Sequence, residues 1–166
     1  MPSRTRKIKP MTGPLRFNAA SAFNAAAAAA RGARGGGSGG SGKRASSSLV
    51  NTFLEMLNTV KIYHWKTLSF ATHKATDELY GTLNEKIDDF VEVLLGKSEL
   101  GGRTKFLNVP TLKLTMTSTN EAFKKQMEAY KKFLLTMPSE LGPDLLAIRD
   151  EILAALNKFL YLLTFR

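Results

Sequence analysis

The sequence predicts an all-α fold, a four-helix bundle over residues 49–166 preceded by a flexible basic tail over residues 1–48. Three observations predict it. Four stretches repeat apolar residues every three or four positions, Gly and Pro interrupt them, and one connection is far longer than the other two. A chain of 166 residues has room for one real core but not for two ordinary domains.

Following Ser46-Ser47-Ser48, a candidate N-cap, the first helix carries Leu49, Phe53, Met56, Leu57, Val60 and Tyr63 on one face and runs to about Lys66. A connection over residues 67–72 leads to the second and longest helix, whose stripe is Leu79, Leu83, Ile87, Phe90 and Leu94, ending near Gly96. Gly101-Gly102 and Pro110 then break the pattern. Residues 111–117 alternate Thr or Lys with Leu or Met as a strand would, but stand too isolated to build a sheet, so they belong to a long crossover. Thr119-Asn120-Glu121 opens the third helix, with Phe123, Met127, Tyr130, Phe133 and Leu134 buried and an end near Met137. Pro138 and Gly142-Pro143 separate it from the fourth, where Pro143 suits the first turn and Leu145, Ile148, Ile152, Leu156, Phe159 and Leu163 form the stripe. Two helical hairpins joined by a long crossover between the second and third helices are the plan of a ferritin-like bundle.

The charge is divided unevenly. Arg4, Arg6, Lys7, Lys9, Arg16, Arg31, Arg34, Lys43 and Arg44 precede Leu49 with no acidic residue among them, so 15 of the 24 basic residues face all 14 acidic ones in the remainder, which carries +1 of the total +10. Residues 18–48 are low in complexity, with an alanine run at Ala25–Ala30 and the glycine-serine run Gly35–Gly42. Such a stretch cannot bury enough apolar surface to offset the entropy of ordering it, and is expected to be disordered alone. Flexible cationic arms suit sequence-independent nucleic-acid binding by counterion release, so the nine cations are the candidate DNA contacts. An arm that threads through a protein assembly, an organellar transit peptide and an artificial spacer are the competing readings.

Without cysteine, a metal here must be held by His, Asp, Glu or backbone oxygen, which favours iron, manganese or magnesium over structural zinc. No run of about 18 apolar residues free of charge occurs, so no membrane partner is expected. The second helix carries a polar stripe of His73, Asp77, Gly81, Asn84, Asp88 and Glu92, spaced so that successive members lie on one face. Such stripes are ordinarily solvated. Here, however, His64 and His73 are the only histidines, and both stand beside carboxylates at ligand spacing, as in a non-haem iron site. His73 and Glu92 are 19 residues apart, about 28 Å along a straight helix, so one chain cannot bring both to one metal. The pairs His73 with Glu92 and Asp77 with Asp88 share one midpoint, between Thr82 and Leu83. Two copies of the helix crossing antiparallel about a twofold axis there place His73 and Asp77 of one chain against Asp88 and Glu92 of the other, two equivalent sites per dimer. Gly81 beside that axis permits close backbone approach.

These residues also carry a family resemblance. Leu57-Asn-Thr-Val-Lys-Ile-Tyr-His-Trp65, then His73-x3-Asp77-x2-Tyr80, then Asp88-x3-Glu92 resembles the mini-ferritin signature, that of the DNA-protecting proteins of starved cells. The match is to the first two helices; the last two agree by pattern and the tail in character only. The connection between His64 and His73 is shorter than the family's usual one. The Glu-x-x-His pairs of larger ferritins are absent.

The resemblance implies non-haem iron shared across a twofold interface, with His64, Asp88 and Glu92 from one subunit and His73 and Asp77 from its mate acting as ligands in ferrous oxidation. It also implies a homo-oligomer, a dimer or a dodecameric iron-storing shell, that binds DNA through its tail. Trp65, next to His64, is expected to be a packed interface residue, with interception of stray oxidants as the alternative. A looser resemblance is to mini-ferritin-like proteins of large DNA viruses, which implies virion or nucleoid association and other virion proteins as partners. Two further readings stand beside the ferroxidase: a structural virion or nucleoid protein that keeps the fold without catalysis, and an organellar mini-ferritin whose tail is removed on import.

Overall fold

The computed structural model describes residues 45–97, 111–112, 114–117 and 119–165. Residues 1–44, which hold all nine tail cations, lie outside the described residues, as do Gly101, Gly102 and Pro110. Four α-helices are present, α1 over Ala45–Lys66, α2 over Phe70–Lys97, α3 over Asn120–Leu135 and α4 over Pro143–Leu162, with a short 3-10 turn at Ser139–Leu141. No strand occurs among the described residues.

Helix starts follow local chemistry in three of four cases. Thr119 caps α3 with its hydroxyl accepting from the Ala122 N–H at 3.1 Å. Pro143 occupies the first turn of α4, where its missing N–H costs nothing. Ser69, one residue before α2, accepts from the Thr72 N–H at 3.3 Å. The first helix departs from expectation: α1 already runs at Ala45, so Ser46–Ser48 lie inside it rather than capping it. Serine is only a few tenths of a kcal/mol poorer than most residues in a helix, too little to stop one held by a buried face.

The apolar stripes meet as one core. Phe53, Met56 and Val60 of α1, Leu83, Phe90 and Leu94 of α2, Phe123, Met127 and Leu134 of α3, and Leu145, Ile152 and Leu156 of α4 are all fully buried. Leu57, Phe133, Ile148 and Leu163 pack partly buried at its margin. Edge-on aromatic contacts tie the helices together: Phe53 to Phe90 at 5.2 Å and Phe123 to Phe159 at 5.8 Å between ring centroids, with Tyr63 stacked on Phe123 at 3.8 Å. Truncating Phe90 to Ala is expected to cost about 3 to 5 kcal/mol and Leu156 to Ala about 2 to 5 kcal/mol, read by urea unfolding of each variant.

Contacts between helices give the topology. Phe53 meets Phe90 near one end and His64 meets His73 near the other, so α1 and α2 are antiparallel. Lys158 pairs with Glu78 at 2.5 Å, Lys86 with Glu151 at 3.2 Å and Lys97 with Asp144 at 2.5 Å, so α2 and α4 are antiparallel too. Glu85, Glu151 and Asp89, in that order of effect, raise the pKa of Lys86. Across α1 and α3, Phe53 faces Phe133 and Tyr63 faces Phe123, again antiparallel. Therefore α2 and α3 run the same way, and the end of α2 and the start of α3 lie at opposite ends of the bundle. The bundle is up, down, down, up.

Gly142 closes the lower end. Its φ of +93° is a region that side chains avoid, and a Cβ there would stand 2.9 Å from Lys97 Nζ. That amine donates to the Leu141 carbonyl at 3.0 Å and holds the Asp144 carboxyl below its usual range. The end of α2 is thereby fastened to the start of α4.

Candidate metal centre on α2

Where α1 ends and α2 begins, a connection of only three residues forces the two histidines together. Their rings stack with centroids 3.9 Å apart and planes 25° from parallel. The bonding is reciprocal: His64 Nδ1 lies 3.1 Å from the His73 carbonyl oxygen, and His73 Nδ1 lies 3.0 Å from the His64 carbonyl oxygen. A carbonyl can only accept, so each Nδ1 carries the proton. In the neutral rings both Nε2 atoms are therefore left with a free lone pair, the tautomer a metal ligand needs.

Thr76 completes this support. It is fully buried, and its hydroxyl donates to the Thr72 and His73 carbonyls at 2.8 and 2.9 Å while standing 3.2 Å from His64 Nδ1. Sequence reasoning missed it. Its only signal was a polar residue three positions after His73 on the core side of α2. Lys61 also escaped notice, its ammonium lying 4.7 Å from the centroid of Tyr80 and 5.8 Å from that of Trp65.

Asp77 follows one turn after His73, with an oxygen 3.9 Å from His64 Nε2. Two ligand atoms each about 2.1 Å from one first-row metal stand at most about 4.2 Å apart, so this separation is within chelating range. His64 is buried, whereas His73 and Asp77 are exposed. The remaining stripe residues, Gly81, Asn84, Asp88 and Glu92, are exposed along the same face. A Cβ at Gly81 would meet nothing within 4 Å, so the surface beside the sequence midpoint is open to a neighbour. Asp77 and Gly81 also border an open cleft of about 1160 Å³.

The structure brings His64, His73 and Asp77 together and leaves Asp88 and Glu92 farther along α2. Within one chain His64 thus stands beside His73 and Asp77, whereas the expected division grouped it with Asp88 and Glu92. The physical reason is the short connection, which cannot carry the end of α1 away from the start of α2. Among the described residues no three His, Asp or Glu groups stand where one chain would hold a metal ion. No helix among the described residues is long and apolar enough to cross a membrane.

An antiparallel four-helix bundle with two stacked histidines and a carboxylate where α1 meets α2 is the class of protein that this geometry defines. The chain belongs to a family of unknown function, DUF5856, whose model matches residues 64–163. That span holds all five candidate ligands and none of the nine tail cations. No curated protein and no solved structure matches the chain.

Proposed function

We propose that this protein is a mini-ferritin-like, iron-binding oligomer with a ferritin-like bundle and a tail that binds DNA without sequence preference. One observation carries the reading: two histidines locked by reciprocal backbone bonds in the metal-binding tautomer, beside Asp77, on a face whose other carboxylates lie across a twofold midpoint. The up-down-down-up order of the four helices supports the fold assignment.

In this reading α2 of two protomers crosses antiparallel, and each site combines His64, His73 and Asp77 of one chain with Asp88 and Glu92 of the other. Ferrous iron is the substrate. Each ferrous ion gives up one electron, so two of them reduce one peroxide, which leaves with two protons as two waters. The chain supplies fixed imidazole lone pairs and a carboxylate-rich surround that favours the ferric charge. Such an oligomer would work at a nucleoid or in a virion.

The exposed Trp65, Leu68 and Phe70 beside the site, at 70%, 103% and 76%, favour a second reading, an assembly protein that uses this surface without metal turnover. One experiment separates them. The purified full chain is sized by sedimentation, then titrated anaerobically with ferrous iron and challenged with peroxide. Iron bound at about one or two ions per chain and consumed by peroxide supports the ferroxidase; a sized oligomer that takes up no iron leaves only the assembly reading.

A further inference from the structure

One end of the bundle carries apolar surface that the metal centre does not use. The connection from α1 to α2 turns Trp65, Leu68 and Phe70 outward, with Leu68 at its middle fully exposed. The end of α4 stands beside it, since Thr164 and Phe165 border one cleft with Ser69 and Ala71. Tyr161 and Phe165 meet edge to face there, 5.0 Å between ring centroids, and each is more than half exposed. Five of the ten large apolar side chains exposed among the described residues thus belong to two neighbouring segments. Scattered singly such residues are ordinary, but gathered at one end they mark a surface that something covers.

Charge narrows what covers it. Residues 56–76 hold Lys61, Lys66 and Lys74, and residues 152–166 hold Lys158 and Arg166, with no Asp or Glu in either stretch. Three carboxylates line the cleft, and each has a cation or an imidazole beside it: Glu78 meets Lys158 at 2.5 Å, Glu121 meets Lys124 at 3.4 Å and Asp77 faces His64 at 3.9 Å. This end is therefore apolar, aromatic and basic at once. A second copy of the same end would set lysines against lysines. A nucleic acid would suit the lysines and the rings but not Leu68, which has no face on which a base stacks. An anionic lipid surface suits all of them, because apolar groups enter the acyl region, aromatic rings settle at headgroup level and lysine amines reach lipid phosphates. Such a contact needs no helix long enough to span the bilayer.

We infer that this end of the bundle docks on an anionic lipid surface, with Leu68 entering the acyl region, Trp65, Phe70, Tyr161 and Phe165 around it at headgroup level, and Lys66 and Lys74 against the lipid phosphates. The first helix begins at Ala45, at the opposite end, so the cationic tail joins the bundle away from the docked surface. The contact uses none of the five candidate ligands and stands independently of the iron reading.

Trp65 is the only tryptophan of the chain, so its emission reads this contact directly in the full-length protein. With vesicles of equal parts phosphatidylcholine and phosphatidylserine, the emission is expected to move to the blue and to be quenched by bromines placed on the acyl chains. Phosphatidylcholine alone is expected to require about tenfold more lipid, or beyond, for the same change. Leu68→Asp, at a position exposed in the single chain, is expected to leave the circular dichroism spectrum unchanged and to raise the lipid concentration at half-change by about tenfold or more. Vesicles that sediment with the protein but leave Trp65 unshifted and unquenched would assign the binding to the tail and overturn the inference. So would a Leu68→Asp chain that responds as the parent does, or a response of Trp65 to single-stranded DNA and not to vesicles. An emission already blue before lipid is added would mean that another chain covers Trp65, and would overturn it as well.

Discussion

Mixing a His73→Ala, Asp77→Ala chain with an Asp88→Ala, Glu92→Ala chain is expected to restore ferrous binding that neither chain has alone. Each mixed dimer regains one intact site, built from the histidine side of one protomer and the carboxylate side of the other, and loses the second site twice over. Random pairing makes half of the dimers mixed, so about a quarter of the parent's sites should return. His64 adds a sharper discrimination. Because it stacks on His73 of its own chain, a His64→Ala chain is expected to be complemented by the Asp88→Ala, Glu92→Ala chain and not by the His73→Ala, Asp77→Ala chain. Each unmixed variant should lose ferrous affinity by a hundredfold or more, since removing even outer supporting groups of a metal site costs about 10- to 100-fold. Complementation in the opposite sense would return His64 to the carboxylate side. A mixture that dimerises normally and binds no iron would remove the shared site altogether.

The bundle was legible because helical burial is periodic. Phe53, Phe90, Phe123 and Leu156 recur at spacings that only one face of a helix explains, and all four are fully buried. The start of α1 was not legible in this way. A run of serines caps a helix or continues one depending on what lies before it, and that choice is a matter of a few tenths of a kcal/mol per residue. Crossover direction came indirectly, since a long segment between two short hairpins leaves α2 and α3 parallel whatever its own conformation.

The candidate site was half legible. Spacing on α2 placed His73, Asp77, Asp88 and Glu92 on one face, and all four are exposed there as the stripe requires. Which chain's His64 they meet depends on the angle between two helices, which spacing along one helix does not encode. The same holds for Thr76. Its neighbours in sequence do not show that its hydroxyl reaches the His64 ring across the connection. Nothing in the residue pattern distinguishes a buried threonine that only satisfies helix carbonyls from one that also orients a ligand.

Removing residues 1–44 is expected to abolish binding to duplex DNA at moderate salt while leaving α1 to α4 folded. All nine tail cations go with that segment, and the remaining chain carries a net charge of only +1. Among the described residues the buried set begins at Leu49, beyond the segment removed. Binding by the full chain should fall steeply with salt, since each phosphate neutralised by Lys or Arg releases condensed counterions, with a slope of about 0.9 per contact on duplex DNA. Six to ten contacts correspond to a loss of about 10³ to 10⁵ in affinity between roughly 50 and 200 mM salt, and several arms per oligomer would steepen it further. Sequence preference should be slight, because Lys and Arg contacts to phosphates carry no base information. The decisive measurement is a salt series of DNA affinities for the full chain and the truncated one. A full chain that ignores DNA at low salt, yet needs its arm for assembly or import, would transfer the cations of the tail to a protein partner.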